Sequence, residues 1–285
     1  MSSRSSFERL GLALFLLLTA APVTASLLYA TLYGFGLVGL LSHGFTLEHW
    51  RRVLTSGEAW ASARLSLYVA TTVVAVTAAL ALPLALVLRD RLGSGPLAYV
   101  LTLPLAVPGT VAAFLALQLL SGAGLLSRLA FRMHLTEGIA GFPELVHDSA
   151  LAGVIATHVA LAVPFFVFLF VELFASERVG PLLELSATLG ARSTQGLLKV
   201  TLPILLRAAW PSLCLLFVVV LGSFEIPLLL GRQAPQMLSI LTYRKYALFD
   251  IAEKPEAYIL ALGYTGLVLG VIAAAFRRHR IGHEA

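Results

Sequence analysis

Charge is scarce in this chain. Of its 285 residues, 12% are Asp, Glu, Lys or Arg and 59% are hydrophobic, where a soluble globular domain carries about 25% charged residues. That deficit excludes an ordinary water-soluble fold. Cysteine is scarcer still: there is one, Cys214, so an intramolecular disulfide and a cysteine-built metal cluster are both excluded. It reads as a small apolar residue within a span. No internal repeat, low-complexity tract or soluble-domain-sized insertion interrupts the sequence, which leaves no room for a separate catalytic domain. A phosphate-binding glycine loop ending in Lys-Ser or Lys-Thr is also missing, so if ATP drives this protein, another polypeptide must bind it.

What the chain does have is long uncharged tracts. They run from Leu10 to Leu47, Leu65 to Leu88, Leu92 to Ser127, Ser149 to Val171, Ala208 to Phe224 and Ala257 to Phe276. A hydrocarbon core about 30 Å thick needs roughly 20 apolar residues per helix, so each tract supplies one span. Gly34, Gly36 and Gly39 end the first helix, and Gly122 and Gly124 end the third. The expectation is an all-α membrane protein with about six transmembrane helices, near residues 10–34, 65–88, 97–120, 150–174, 204–229 and 257–276, in one domain over 1–285.

Arg4 and Arg9 precede the first apolar run, as in a cleaved signal peptide. The run, however, continues through Leu27, Leu28 and Tyr29, past a typical signal core, so the first helix is expected to stay uncleaved with its amino terminus cytoplasmic. Both termini inside puts Arg4, Arg9, Arg89, Arg91, Arg178, Arg192, Lys199, Arg207, Arg277, Arg278 and Arg280 on the cytoplasmic face, a small excess of the sign that sets topology. The net charge of +5 is spread over loops and forms no basic helix or aromatic-basic stripe, so nucleic acid is not an expected partner.

The cytoplasmic loop at 175–203 carries the most information. Pro181 suits the first turn of a helix, where its missing N–H needs no partner. Glu184 follows in that turn, favoured by the helix dipole. Gly190 then supplies a residue able to take the left-handed terminating conformation, giving a helix of about nine residues. Ser193 or Thr194 is placed to cap a second helical segment through Lys199, and Leu202 and Pro203 introduce the fifth span. Helices this short are marginal in water, which suggests that something docks on them. Small Ser186 and Ala187 allow close approach.

The stretch ELSATLGARSTQGLLKVTLP resembles the cytoplasmic signature of the binding-protein-dependent ABC permeases, Glu-Ala-Ala, then Gly, then Ile-x-Leu-Pro. Glu184 matches the acid, Gly190 the glycine, and Leu202 and Pro203 the closing pair, while Ser186 and Val200 stand in for alanine and isoleucine and Leu185 for the other alanine. The segment LTLPLAVPGTVAAF in the third span also looks like this superfamily. The resemblance implies a MetI-like ABC importer transmembrane domain, with the 175–203 loop as the coupling segment. Glu184, Ser186, Ala187, Gly190, Arg192 and Pro203 would then face a cytoplasmic ATP-binding subunit. It further implies a cytoplasmic ABC ATPase dimer holding ATP and Mg, a second permease subunit of the same or a different chain, a periplasmic or lipid-anchored solute-binding protein, membrane lipid around the spans and a bacterial inner-membrane location. No cofactor is expected on this chain itself.

Prolines fall within spans at Pro83, Pro104, Pro108, Pro164, Pro211 and Pro227, and each interior proline frees a carbonyl that a neighbour or a cavity must satisfy. Pro108-Gly109 and the 223–231 region are therefore candidate walls of a solute path, with a bland helix kink as the other reading. Glu225, flanked by Ser223 and Phe224 in GSFEIPLLLG, is an ionisable residue at membrane depth and by default a functional candidate. Its alternatives are the solute path, a subunit interface or the headgroups, with Arg232 as a candidate partner. GSFEIPLLLG and RQAPQMLSILTYRKY look similar to permeases for polyamines, ferric iron, thiamine and phosphonates, so a small polar or charged solute is implied. His158, with no ligand-spaced partner in sequence, reads as a packed or interface histidine rather than a metal ligand. An intramembrane enzyme would need a nucleophile and base at shared depth; an ion-coupled secondary transporter would need ionisable residues near the midplane and repeated halves. Neither pattern is present, so the chain is read as a transport subunit and not an enzyme.

Overall fold

The structure is a computed structural model and describes residues 2–281 apart from 40, 41, 43, 93, 94 and 138–140. Among the described residues it is all-α. Six helices are long and apolar enough to cross a membrane, covering Glu8–Gly34, Gly57–Arg91, Gly109–Arg132, Ala152–Ser176, Ser193–Leu221 and Ile251–Ala274. Their apolar side chains stay exposed along much of each length: Leu10 to Leu18 in the first, Leu80, Leu84 and Val87 in the second, Leu215 and Val219 in the fifth. Such helices satisfy their own backbone and can meet lipid directly.

The helices are α1 (Ser2–Gly34), α2 (Glu48–Thr55), α3 (Gly57–Leu88), α4 (Pro96–Thr102), α5 (Gly109–Leu120), α6 (Leu125–Arg132), α7 (Ala152–Ser176), α8 (Val179–Thr188), α9 (Ser193–Gly196), α10 (Leu202–Leu221), α11 (Glu225–Leu230), α12 (Leu238–Ala247) and α13 (Lys254–Ile281). Two expected spans are broken. The stretch expected as one helix at 97–120 is α4, a 3₁₀ turn over Leu103–Ala106, and then α5. Pro108 removes a donor and pushes Val107 into extended backbone, so α5 starts afresh at Gly109. The stretch expected at 204–229 ends as a helix at Leu221 and resumes as the short α11.

The chain divides into two compact units, Met1–Ala61 with Leu238–Leu267, and Ser62–Met237 with Val268–Ala285. In the first unit Val53, Ala59, Leu238, Leu241, Ile259 and Leu260 form a buried cluster, and the Tyr33 and Tyr258 rings meet at a tilt of 38° with centroids 4.6 Å apart. Charge completes it. Arg244 pairs with Glu58, and Lys245 reaches Glu253 at 3.0 Å and Glu256 at 2.8 Å. Burial pulls the Lys245 ammonium down, but the Glu256 and Glu253 carboxylates outweigh it and hold the group above the usual lysine range.

A raised folded-state pKa contributes stability that is fully present below the unfolded value, near about 10.4, and is lost as pH rises through the folded one. Lys245→Ala, which leaves two carboxylates facing each other, is expected to cost roughly 1–3 kcal/mol at neutral pH. The deficit should shrink once the wild-type lysine is itself deprotonated. Thermal unfolding in detergent at pH 7.5 and pH 11 checks this; a deficit that does not narrow at high pH would assign the loss to packing.

The second unit is built around Ala81, Leu82 and Ala85 of α3, Phe166, Val167 and Phe170 of α7, and Leu205, Ala209 and Leu213 of α10. Val179, the first residue of α8, is fully buried in the same cluster. The α8 helix is thereby fastened at its start to the spans it follows.

Candidate functional site

Two features of the second unit stand at opposite ends of the same helices. One is the α8–α9 segment. Arg178 turns through a left-handed conformation (φ 51°) to start α8 at Val179, two residues before the expected start at Pro181. The proline still falls in the first turn, whose N–H groups have no intrahelical partner. The far end closes as the sequence suggests: Gly190 is left-handed (φ 83°), its N–H bonds the Ala187 carbonyl at 2.9 Å, and the Ala191 N–H bonds the Ser186 carbonyl at 3.0 Å. This pair of bonds is a Schellman C-cap.

The second segment differs from expectation. It is capped by neither Ser193 nor Thr194; Arg192 is the cap residue, and its backbone N–H donates to Gln195 Oε1 at 2.9 Å. It also does not stop at Lys199. Residues 193–221 form one helix with a π-helical turn at Leu197–Thr201 immediately before Pro203. Pro203 has no N–H to offer the preceding turn, and a π turn absorbs that mismatch without breaking the helix. The α8 helix packs across the start of this helix at Gly196, where an added Cβ would come within 2.9 Å of Leu183 Cδ2 and 3.5 Å of Ser186 Oγ.

The outward side of α8 is apolar. Leu182, Leu185 and Leu189 are 40%, 58% and 81% exposed, at spacings that place them along one helix face. Glu184, Ala187, Gly190, Arg192 and Pro203 are exposed around them, and Glu184 makes no hydrogen bond or ion pair among the described residues. Ser186 is the exception: half-buried, its hydroxyl donates to the Leu183 carbonyl at 2.8 Å, and its small size serves the Gly196 crossing rather than an outer face.

The other feature is a cavity of about 570 Å³ among α5, α7, α10 and α11, within the range of small-molecule sites. Gly109, His158, Phe165, Ser212, Ser223, Phe224 and Glu225 line it together with aliphatic residues of α7 and α10. A Cβ on Gly109 would stand 3.8 Å from Glu225 Oε2, so the bare glycine gives the carboxylate room. From His158 to the end of α7 at Ser176 is about 27 Å at 1.5 Å per residue, and α8 begins three residues later. Cavity and α8 are thus linked along α7 and, through α9 and the π turn, along α10.

No protein-family model matches the chain, and no curated protein matches it. Solved structures match its fold, among them the following two. One is a crystal structure of a bacterial ABC transporter involved in the import of the acidic polysaccharide alginate, with a TM-score of 0.65 at 17% identity over 97% of this chain and 94% of that one. The other is a bacterial alginate ABC transporter in complex with an alginate pentasaccharide-bound periplasmic protein, with a TM-score of 0.63 at 17% identity over 95% and 91%. The chain shares the fold of these bacterial ABC transporter structures.

Within this fold, four of the five residues singled out for a solute path, Gly109, Ser223, Phe224 and Glu225, line one cavity. Pro108 does not line it and instead caps α5. Arg232 is not the partner of Glu225: its guanidinium donates to the Pro235 and Ser149 carbonyls, each at 3.2 Å. His158, read as a packed or interface histidine, is 7% exposed and also borders the cavity; the residue not singled out from sequence is Gly196. Gly196 sits where a helix interior ordinarily disfavours glycine, and that cost was the only mark of the close crossing.

Proposed function

We propose that this chain is the permease subunit of a binding-protein-dependent ABC importer, supplying half of the pathway for a small polar or charged solute. The single observation that carries the reading is the α8–α9 segment: an exposed apolar face with a free carboxylate, fastened through Val179 and the Gly196 crossing to the helices that line the cavity. In this reading a cytoplasmic ATPase dimer, holding ATP and Mg, grips Leu182, Glu184, Leu185 and the Gly190 end. Its closure moves α8, and the movement is carried along α7 and α10 to the cavity. Hydrolysis belongs to that partner. A second permease subunit, the same chain or another, completes the pathway, and a periplasmic or lipid-anchored binding protein delivers the solute. Multi-pass insertion in a bacterial inner membrane with both termini cytoplasmic puts α8 on the ATPase side. The alginate carried by the similar importer is acidic; Glu225 in the cavity makes such a cargo a poor fit for this chain.

The test is mild-detergent purification of the tagged chain from its native membranes. An ATP-hydrolysing subunit is expected to co-purify with the wild type and to fall at least about tenfold with Glu184→Ala, the result of losing about 1.4 kcal/mol at the contact. Repeated absence of such a partner under stabilising conditions would sink the importer reading.

A further inference from the structure

The helix α6, LLSRLAFR over Leu125–Arg132, turns its large apolar side chains away from its own protein. The residues facing inward are small: Ser127 is 3% exposed and Ala130 is half-buried. Leu125 and Leu129, one turn apart, are 54% and 50% exposed, and Phe131 is 56% exposed. Arg128 and Arg132, also one turn apart, form the neighbouring exposed row. The Arg128 Nε–H donates to the Gly124 carbonyl at 3.3 Å, which holds the guanidinium in place with its terminal amino groups outermost. Neither arginine has an ion pair among the described residues, and no acidic residue stands between Asp90 and Glu137.

The depth of α6 gives that face its occupant. A Cβ on Gly153, in the first turn of α7, would stand 3.7 Å from Leu120 Cδ1, so α5 ends where α7 begins. The 25 residues of α7 run about 37 Å at 1.5 Å per residue, against a hydrocarbon core of about 30 Å, and α8 starts beyond their other end. The α6 helix therefore leaves α5 one membrane thickness away from α8. It leaves through a tight turn: Ser121 is extended, and a Cβ on Gly124 would fall 2.7 Å from the Gln118 carbonyl oxygen. A leucine row beside an arginine row at this depth matches the boundary between acyl chains and headgroups. The leucines enter the hydrocarbon, while the arginine stems run along it and their guanidinium groups reach phosphate oxygens, two at a time. With no carboxylate to answer the two positive charges, a net-negative headgroup is favoured over a zwitterionic one. We propose that α6 is an interfacial helix that binds anionic phospholipid headgroups through Arg128 and Arg132, in the leaflet opposite α8. The site needs only the spans and stands apart from the importer reading.

The experiment is hydrogen exchange of the full chain, one copy per nanodisc, in phosphatidylcholine alone and in equal parts phosphatidylcholine and phosphatidylglycerol. With phosphatidylglycerol the Leu125–Arg132 amides are expected to exchange at least about fivefold more slowly, roughly the effect of one arginine at an anionic surface, while the α8 amides stay unchanged. The difference should shrink in high salt and vanish in the double variant Arg128→Gln/Arg132→Gln. Both side chains are exposed, so the double variant is expected to keep the wild-type exchange of α7, which reports its folding. Equal exchange in the two lipids, or a phosphatidylglycerol effect that survives in the double variant, would overturn the site. Protection that arises only when two chains share a disc would also overturn it and assign the face to a second copy. None of these outcomes depends on whether an ATPase co-purifies.

Discussion

Gly190→Arg is expected to weaken association with the proposed ATPase subunit strongly while leaving the protein folded and inserted. The residue has φ 83°, a conformation that costs an L-residue about 1–2 kcal/mol, and its Schellman bonds close the end of α8. Nothing lies within 4 Å of an added Cβ, so the side chain finds open space and the fold need not yield to it. The effect falls on the surface instead. A long cation would project beside the exposed Leu189 and Glu184 and would hold a partner off the apolar face. Co-purified ATPase and its turnover are expected to fall at least about tenfold, with the amount of inserted permease little changed. Gly190→Asn is the comparator, because asparagine tolerates the left-handed region and keeps the surface small; it should retain most of the partner. Wild-type association by Gly190→Arg would remove this end of α8 from the coupling contact.

Gly153→Ala is expected to be strongly destabilising for a single-methyl change. Gly153 lies in the first turn of α7, where the segment before the helix folds back across it. Asp148 fixes that segment: its carboxylate accepts the Ala150 N–H at 3.0 Å and the Ala152 N–H at 2.9 Å, and Leu151 enters the helix left-handed and buried. A Cβ at Gly153 would stand 2.2 Å from the Leu145 carbonyl oxygen. The obstruction is backbone rather than a flexible side-chain end, so a whole loop must move. Overpacking of this kind costs about 1–3 kcal/mol and sometimes more; this contact belongs at the upper end, a fall of roughly several degrees in unfolding temperature. Gly263→Ala in α13, with nothing within 4 Å, is the control and should be neutral or slightly stabilising. Thermal unfolding of both variants in the same detergent decides; equal behaviour would show that the loop gives way without cost.

The expected spans came from charge-free tracts because the hydrocarbon core imposes a length and forbids charge, and both demands are written along the chain itself. The end of α8 was equally legible: Gly190 is a local conformational requirement, and the residues that satisfy it lie within five positions. The π turn was not, since nothing in LLKVTLP distinguishes a helix that stops before Pro203 from one that widens to pass it. The relations that make the cavity were also out of reach. Glu225 faces Gly109 across 116 positions of chain, and His158 meets them from a third helix. Sequence periodicity reports which face of a helix is apolar, but in lipid every face is apolar, so it carries no mark of which face packs inward. The sequence therefore determined that the chain has helices fit to cross a membrane, about how many, and where the short helix α8 must end. Only the tertiary structure decided which glycines let backbones approach and which polar groups share a cavity, because those depend on contacts between helices that no local rule encodes.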